Sequence, residues 1–503
     1  MTAALTEPAD AAGPRPPRPN AIVAVLALAG IVSSLMQTLV IPLIPELPAY
    51  LHASAANTTW AITATLLAGA IAMPVVGRLG DMYGKRRMLL ASLAMLVSGS
   101  VVGAVSHSLA IMIVARSLQG LAVGVVPLGI SIMRDELPSD RLGGATALMS
   151  ASLGVGGALG LPTAALIAER ADWHVLFWVA AGLGAVAAAL VTAFVPESRV
   201  RTGGRFDLVG AAGLSVALVC LLLAISKGAD WGWTSGVTLG LFGATVVVLG
   251  LWGRWELRTS APLVDLRTTA RRQVLLTNLA AGVFGFSMFA MALLLPQLVQ
   301  LPRATGYGLG RSMLAVGLIM APNGLVMMAT APLGARISKA RGPKTTLMLG
   351  TLVVAAGYGL NIALMSAVWH LVLVSSVIGA GIGFAYGAMP ALVMAAVPVS
   401  ETAAANSLNT LMRAIGTSIS SAVAGLVLAH MTTTYGSATL PSQAGFRVVM
   451  GIGVGAALVA LGTAAFLPGR DSRGPESAET AGVGEGLPDQ DALPAGHLLL
   501  DQR

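Results

Sequence analysis

Apolar runs of bilayer-crossing length recur along this chain, parted by short polar breaks. A helix needs roughly 20 apolar residues to cross the hydrocarbon core. Lipid offers no partner to an unpaired backbone group, so such runs adopt helix. The pattern predicts spans at 21–44, 57–77, 88–106, 109–132, 144–168, 174–195, 208–226, 236–253, 274–299, 313–335, 347–366, 371–397, 405–429 and 446–467. Residues 1–20 are rich in Pro and Ala and carry Glu7, Asp10, Arg15 and Arg18, which reads as a disordered lead-in. The apolar run after them is too long for a signal-peptide core. Residues 468–503 mix Gly, Pro and Ala with seven acids from Asp471 to Asp501, which predicts a disordered acidic tail.

Composition agrees with the pattern. The 503 residues are 55% hydrophobic and 10% charged, with a mean hydropathy of +0.81. A soluble protein carries about 25% charged residues, so a water-soluble surface is excluded. The single cysteine, Cys220, rules out a disulfide framework within the chain and sits in an apolar run as an ordinary packing residue. A net charge of +8 would suggest nucleic acid in a soluble protein, but here the basic residues lie in short breaks between spans, where they set orientation. With the N-terminus placed in the cytoplasm, 23 of the 30 Lys and Arg fall inside, 5 outside, and 2 (Arg116 and Arg413) within spans. One span more or fewer midway would scramble that asymmetry. The expectation is an inner-membrane protein with both ends cytoplasmic.

The break after span 2 reads as a loop from Gly77 to Arg87, and the break after span 10 as one from Ala335 to Lys344. Aligned on Gly84 and Gly342 they share a basic residue (Arg78, Arg336), an aliphatic one (Leu79, Ile337), the glycine and a basic end, while Asp81 meets Lys339. Duplicated transporter bundles leave such echoes. Gly77 and Gly84 permit a tight turn and close helix approach. Asp81 can accept backbone N–H groups at a neighbouring helix start and pair with a nearby Arg, which makes a latch that holds one closed state. Lys85, Arg86 and Arg87 belong to the same latch or serve only as topology anchors. Arg116, charged and mid-span, requires an internal partner. Gln119 and Gly120 follow one turn on, on nearly the same face. A fixed cation there lowers the pKa of a neighbouring carboxyl and senses its protonation, or else Arg116 is a purely structural hydrogen-bond anchor.

The run Gly77-x-Leu79-Gly80-Asp81-x-x-Gly84-Lys85-Arg86-Arg87 resembles the signature loop of the major facilitator superfamily, and Arg116-Ser117-Leu118-Gln119-Gly120 resembles the RxxQG motif of its proton-coupled drug antiporters. With fourteen spans, the chain resembles the fourteen-helix drug:proton antiporter branch, which includes antibiotic exporters of actinomycetes. The likeness covers roughly residues 20–467. It implies an all-α membrane protein of two pseudo-symmetric six-helix halves (21–195 and 274–467) with a linker (196–273) carrying an extra, lipid-facing helix hairpin. It also implies proton transfer involving Arg116 and Gln119, and no cofactor or metal. Arg413 resembles a basic position of span 13 in the same branch.

Three departures stand out. Met36 occupies the position of an acid that the branch carries in span 1, and Glu46 is the nearest carboxyl. The span-5 antiporter motif appears as Gly156-Gly157-Ala158-Leu159-Gly160-Leu161-Pro162, with the proline shifted by one, although the spacing still allows close packing and a kink. Span 6 opens on Trp173-His174-Val175 in place of an aromatic WRW-like start. No Asp or Glu lies at the centre of any span, so proton carriers narrow to Glu46, Asp81 and His174.

A cavity without a fixed carboxylate has no strong reason to select multivalent cations, and large apolar area with sparse polar groups suits neutral or weakly charged amphipathic ligands. Met36, Gln37, Asn278, Gln297, Asn323, Asn406 and Asn409 are candidate lining residues. Arg413 either lines the same cavity or binds backbone ends of broken helices. The expected partners are a drug-like small molecule, protons and the bilayer, with no nucleic acid, and the chain is expected to be a monomer. A dedicated exporter of one native metabolite fits the same architecture. A membrane enzyme or a primary pump does not, since neither HExxH nor GxxxxGK[ST] is present.

Overall fold

The computed structural model describes residues 19–43, 47–435 and 438–468. The lead-in up to residue 18, Glu46 and the acidic tail from residue 469 therefore lie outside the described residues, whereas Pro19 and Asn20 already belong to the first helix. Fourteen described helices are long and apolar enough to cross a membrane. They are α1 (Pro19–Thr38), α2 (Trp60–Tyr83), α3 (Lys85–Ala104), α4 (Leu109–Glu136, tightened to a 3-10 turn at Leu121–Gly124), α5 (Ser139–Arg170), α6 (His174–Phe194), α7 (Leu208–Trp231) and α8 (Gly236–Glu256). The remainder are α9 (Arg272–Gln300), α10 (Met313–Arg341), α11 (Pro343–Ala363), α12 (Val368–Met394), α13 (Thr402–His430) and α14 (Gln443–Ala465). Each predicted span has its helix. Ser108, Asp207, Ser235, Ser312 and Ser442 start five of them by accepting the N–H three residues on, which satisfies donors that a helix start leaves open. A short hairpin, β1 (Thr432–Tyr435) with β2 (Ala438–Pro441), joins α13 to α14.

The two breaks read as loops are mostly helix. α2 continues to Tyr83 and α10 to Arg341, and single glycines make the turns. Gly84 at φ +121° and Gly342 at φ +88° adopt backbone that a side chain disfavours. The polar residues that resembled loop are therefore the last helical turns.

One apolar core is drawn almost wholly from α1–α6 and a second almost wholly from α9–α14. A third, smaller cluster joins Ala70 and Met73 of α2, Leu214, Leu218 and Leu222 of α7, and Leu411 of α13. α7 thus packs across the seam, which corrects the expectation that the whole extra hairpin faces lipid. Only α8 fits it, with Val246, Val247 and Leu251 exposed.

Long-range hydrogen bonds sort the helix ends into two faces. On one, Lys344 donates to Leu467 O (2.6 Å) and Gln273 to Leu392 O (2.8 Å), so the starts of odd-numbered helices meet the ends of even-numbered ones. On the other, Lys227 donates to Thr59 Oγ1 (2.5 Å) and Tyr307 to Pro441 O (2.5 Å). This alternation is that of fourteen successive antiparallel crossings.

Glycines set how closely α1, α5 and α10 approach. A Cβ on Gly156 would stand 2.5 Å from the Ile31 carbonyl oxygen, and one on Gly324 would meet the Gly154 carbonyl oxygen and stand 2.6 Å from Ala158 Cβ. Lipid gives helices no hydrophobic drive to associate, so small residues that let backbones touch supply the packing. Gly324→Val is expected to destabilise the purified protein by about 1–3 kcal/mol through overpacking, read as a lower thermal midpoint. Gly359→Ala, which meets nothing within 4 Å, is expected to leave the midpoint unchanged or raise it slightly.

Candidate functional site

At the end of α2 the Asp81 side chain is fully buried. Its two carboxylate oxygens accept the N–H groups of Ala403 (3.2 Å) and Ala404 (2.8 Å), the open donors at the start of α13. A carboxylate there is favoured by the helix dipole and by charge-assisted hydrogen bonds. α2 reaches α13 because Gly77 carries no side chain, since a Cβ would stand 2.5 Å from Ser407 Oγ and 2.8 Å from Ala403 O. The cation nearest Asp81 is Lys85, at 3.8 Å, while Arg78 and Arg134 lie close enough to act on it electrostatically.

Lys85 is itself buried and donates to Asp135 Oδ2 at 2.7 Å, where the Ser198 hydroxyl also donates. Arg134 crosses to the α12–α13 connection, donating to Thr402 Oγ1 (2.6 Å) and Val397 O (3.1 Å). Arg86 is half-buried, its N–H on Glu197 (3.3 Å) and its guanidinium on Thr192 O (2.6 Å). Arg87 stays 69% exposed and reaches Glu197 at 3.7 Å, so of these three cations it comes nearest to a simple anchor. Arg134, Asp135, Glu197, Ser198 and Thr402 escaped the sequence reading. An acid directly after Arg134 at a helix end was the one cue to them. The linker joins the same cluster through the Thr202 N–H, which donates to Asp81 O at 2.9 Å. A cleft of about 380 Å³ opens beside it, lined by Arg78, Thr202, Asp265 and Glu401 among others.

Arg116 is 3% exposed. It donates to Gln119 Oε1 (2.5 Å), Met36 O (3.4 Å) and Ala61 O (3.4 Å), and Gln119 passes the network on to Ser100 Oγ (2.9 Å). Among the described residues no carboxylate touches Arg116. The expected Arg–carboxyl pair is absent there, and the guanidinium is held by main-chain oxygens instead. One of these belongs to Met36, the residue in the acid's place.

Arg413 is 8% exposed and lies over the Tyr386 ring at 4.5 Å, so it does not bind broken helix ends. Gly156 and Gly160 face α1, Gly157 meets nothing, and Pro162 abuts Gly317 of α10 inside an unbroken α5.

The candidate cavity residues are not brought to one wall. Asn323 donates to Ser375 O (2.7 Å) and Asn406 to Thr402 O (3.0 Å). Gln37 is exposed, Met36 buried and Gln297 half-buried. Only Asn278 and Asn409 meet, at 3.0 Å. His174 sits at the opposite face, with its ring nitrogens against Asp172 (2.5 Å) and Ser106 O (2.9 Å). The N–H and ring of His174 hold the Asp172 carboxyl below its ordinary pKa.

The sequence profile of the Major Facilitator Superfamily matches residues 26–421. Multidrug resistance protein 3 of Bacillus subtilis is 25% identical over 74% of this chain and 73% of its own length. The tetracenomycin C resistance and export protein of Streptomyces glaucescens is 27% identical over 90% of this chain and 85% of its own. Among solved structures, the proton:xylose symporter XylE superposes with a TM-score of 0.61 at 14% identity, over 90% of this chain and 96% of that one, which speaks to fold alone.

Lys85→Ala is expected to leave Asp81 and Asp135 buried without their cation, a loss of ~3–5 kcal/mol. The check is the thermal midpoint of the purified protein, where Arg87→Ala, exposed, is expected to cause no measurable drop.

Proposed function

The chain belongs to the major facilitator superfamily, and from that premise we propose that it exports drug-like or antibiotic small molecules by proton antiport through alternating access. It is a multi-pass membrane transporter and not an enzyme. The observation that carries the proposal is the bond between halves, Asp81 of α2 on the first N–H groups of α13. Each charge-assisted bond is worth roughly 1.5–3 kcal/mol, and both exist only while this face is closed. A protonated Asp81 carries no charge for the helix dipole to hold, so a proton that enters from the opposite face and reaches Asp81 weakens the closure, lets the halves part here and is released on this side.

The closed face is the cytoplasmic one in this reading, because the positive-inside count puts 23 of 30 Lys and Arg on it. The protein then resides in the inner membrane as a monomer with both termini inside. Residues 21–195 and 274–467 move as the two halves, with 196–273 as their linker. Arg116 and Gln119 act in coupling through the Met36 backbone, and Glu46 is the second proton carrier. Export of antibiotics is supported by the names of the Bacillus and Streptomyces relatives, and the Streptomyces name keeps a dedicated single-compound exporter as the narrower version.

Asp81→Asn is expected to cut export about ten-fold or more with normal membrane insertion. Full export by a normally expressed variant sinks the latch. In proteoliposomes, substrate addition is expected to drive a change in internal pH that a protonophore collapses and Glu46→Gln removes, and an unchanged response in that variant strikes Glu46 from the mechanism.

A further inference from the structure

The second core contains a group of hydrogen-bond donors with too few acceptors. Asn409 of α13 donates to Asn278 Oδ1 of α9, and the Asn278 Nδ2 amide is left buried without an acceptor. Arg413 lies one turn further along α13. Its guanidinium leans back toward the helix start, as helical side chains do, and donates to Thr410 Oγ1 at 3.1 Å. Among the described residues its only other hydrogen-bond contact is the Met389 sulfur at 3.9 Å, a weak acceptor. A guanidinium has five N–H donors, so most of them are unspent. All carboxylates of the spans sit at helix ends, and the charge is not neutralised. Arg116 differs in that its donors are taken up by carbonyl oxygens and Gln119.

The place is as informative as the chemistry. Tyr386 and Met389, the neighbours of Arg413, flank Gly387, where a Cβ would stand 3.1 Å from Ala147 Cβ of α5. Ala147 lies in the first third of α5 and Gly387 in the last third of α12, both toward the latch face. In the export reading, parting of the halves on that face uncovers the group. Phe284, with its ring 6.0 Å from Tyr386, extends an aromatic wall beside the cation.

We propose that Arg413, Asn278 and Tyr386 form the recognition site for an amphipathic organic anion, an aromatic carboxylate or phenolate that supplies the missing acceptors. This rests on the export reading and narrows its substrate class, replacing the neutral or weakly charged ligand expected from the absence of a central acid. The anion takes the spare guanidinium and amide donors in a desolvated setting, where charge-assisted bonds are strongest. Its rings lie against Tyr386 and Phe284.

The test compares pyrenebutyrate, its uncharged amide and pyrenebutylamine. Their binding to the purified full chain is measured by fluorescence titration, and their movement is followed in inverted membrane vesicles. The wild type is expected to bind the carboxylate at least about ten-fold more tightly than the amide, with the amine weakest. Arg413→Gln is expected to bring the carboxylate-to-amide ratio near one, whereas Arg413→Lys keeps a preference. Asn278→Asp places an acceptor inside the site and is expected to weaken carboxylate binding by a similar factor. Should Arg413→Gln fail to run as a single species on gel filtration, the lysine and Asn278→Asp variants decide. Equal binding of all three probes by the wild type, or an anion preference that survives Arg413→Gln, overturns the proposal. Selective binding of pyrenebutyrate without its movement overturns the export reading and leaves the anion site standing. Movement without charge preference does the reverse.

Discussion

A carboxylate buried against the first turn of a helix from the other half of the molecule is the contact around which this structure is arranged. Asp81 has lost water entirely, a cost that only full pairing offsets. That pairing needs the Ala403 and Ala404 N–H groups, which α2 reaches only because Gly77 brings its backbone against Ser407. It also needs Lys85, and Lys85 in turn needs Asp135. Removing any one member strands a charge, so the cluster is formed as a whole or released as a whole. A contact with that property suits an element that has two states.

The remainder of the seam is held by shape. Gly154 against Gly324 and Pro162 against Gly317 bring α5 and α10 backbone to backbone, and close approach of small residues is the main source of helix association in lipid. Such packing is strong where it fits and tolerates little side-chain volume. α7 adds a third element, set against α2 and α13 on the lipid side of the same seam. α7 of the extra hairpin is therefore part of the contact between the halves, although no charge within its membrane depth suggested so.

Span number, alternation of helix ends and the twin turns at Gly84 and Gly342 were legible in the sequence because they follow from apolar run length and glycine spacing, both local properties. Asp81 on a helix start was legible for the same reason, since a short acid beside two glycines has few other uses in an apolar setting. What escaped was pairing between distant segments. Nothing local to Lys85 names Asp135, and nothing near Asn323 says that its amide is spent on Ser375. Asn323, Asn406 and Asn278 look alike as polar residues in apolar runs, yet their hydrogen bonds go to different helices or to their own. A cavity cannot be assembled from residue type when each amide has its own local use.

Charge placement within the membrane limits how any coupling can operate. Arg116 and Arg413 are the two formal charges at mid-membrane depth, and both are cationic, while Asp81, Lys85 and Asp135 lie at the end of the bundle. An exchange of protons that depended on a carboxylate facing Arg116 would require an acid that the described residues do not supply. The Met36 carbonyl in that place cannot change its charge. The bonds of Arg116 to Met36, Ala61 and Gln119 tie α1, α2 and α4 together, so the part proposed for it in coupling runs through the positions of those helices. In the proposed antiport, a titrating step acts where carboxylates are, at the helix ends, and reaches the interior through movement of helices. On that proposal, the tie between α2 and α13 is the point at which protonation and opening are joined.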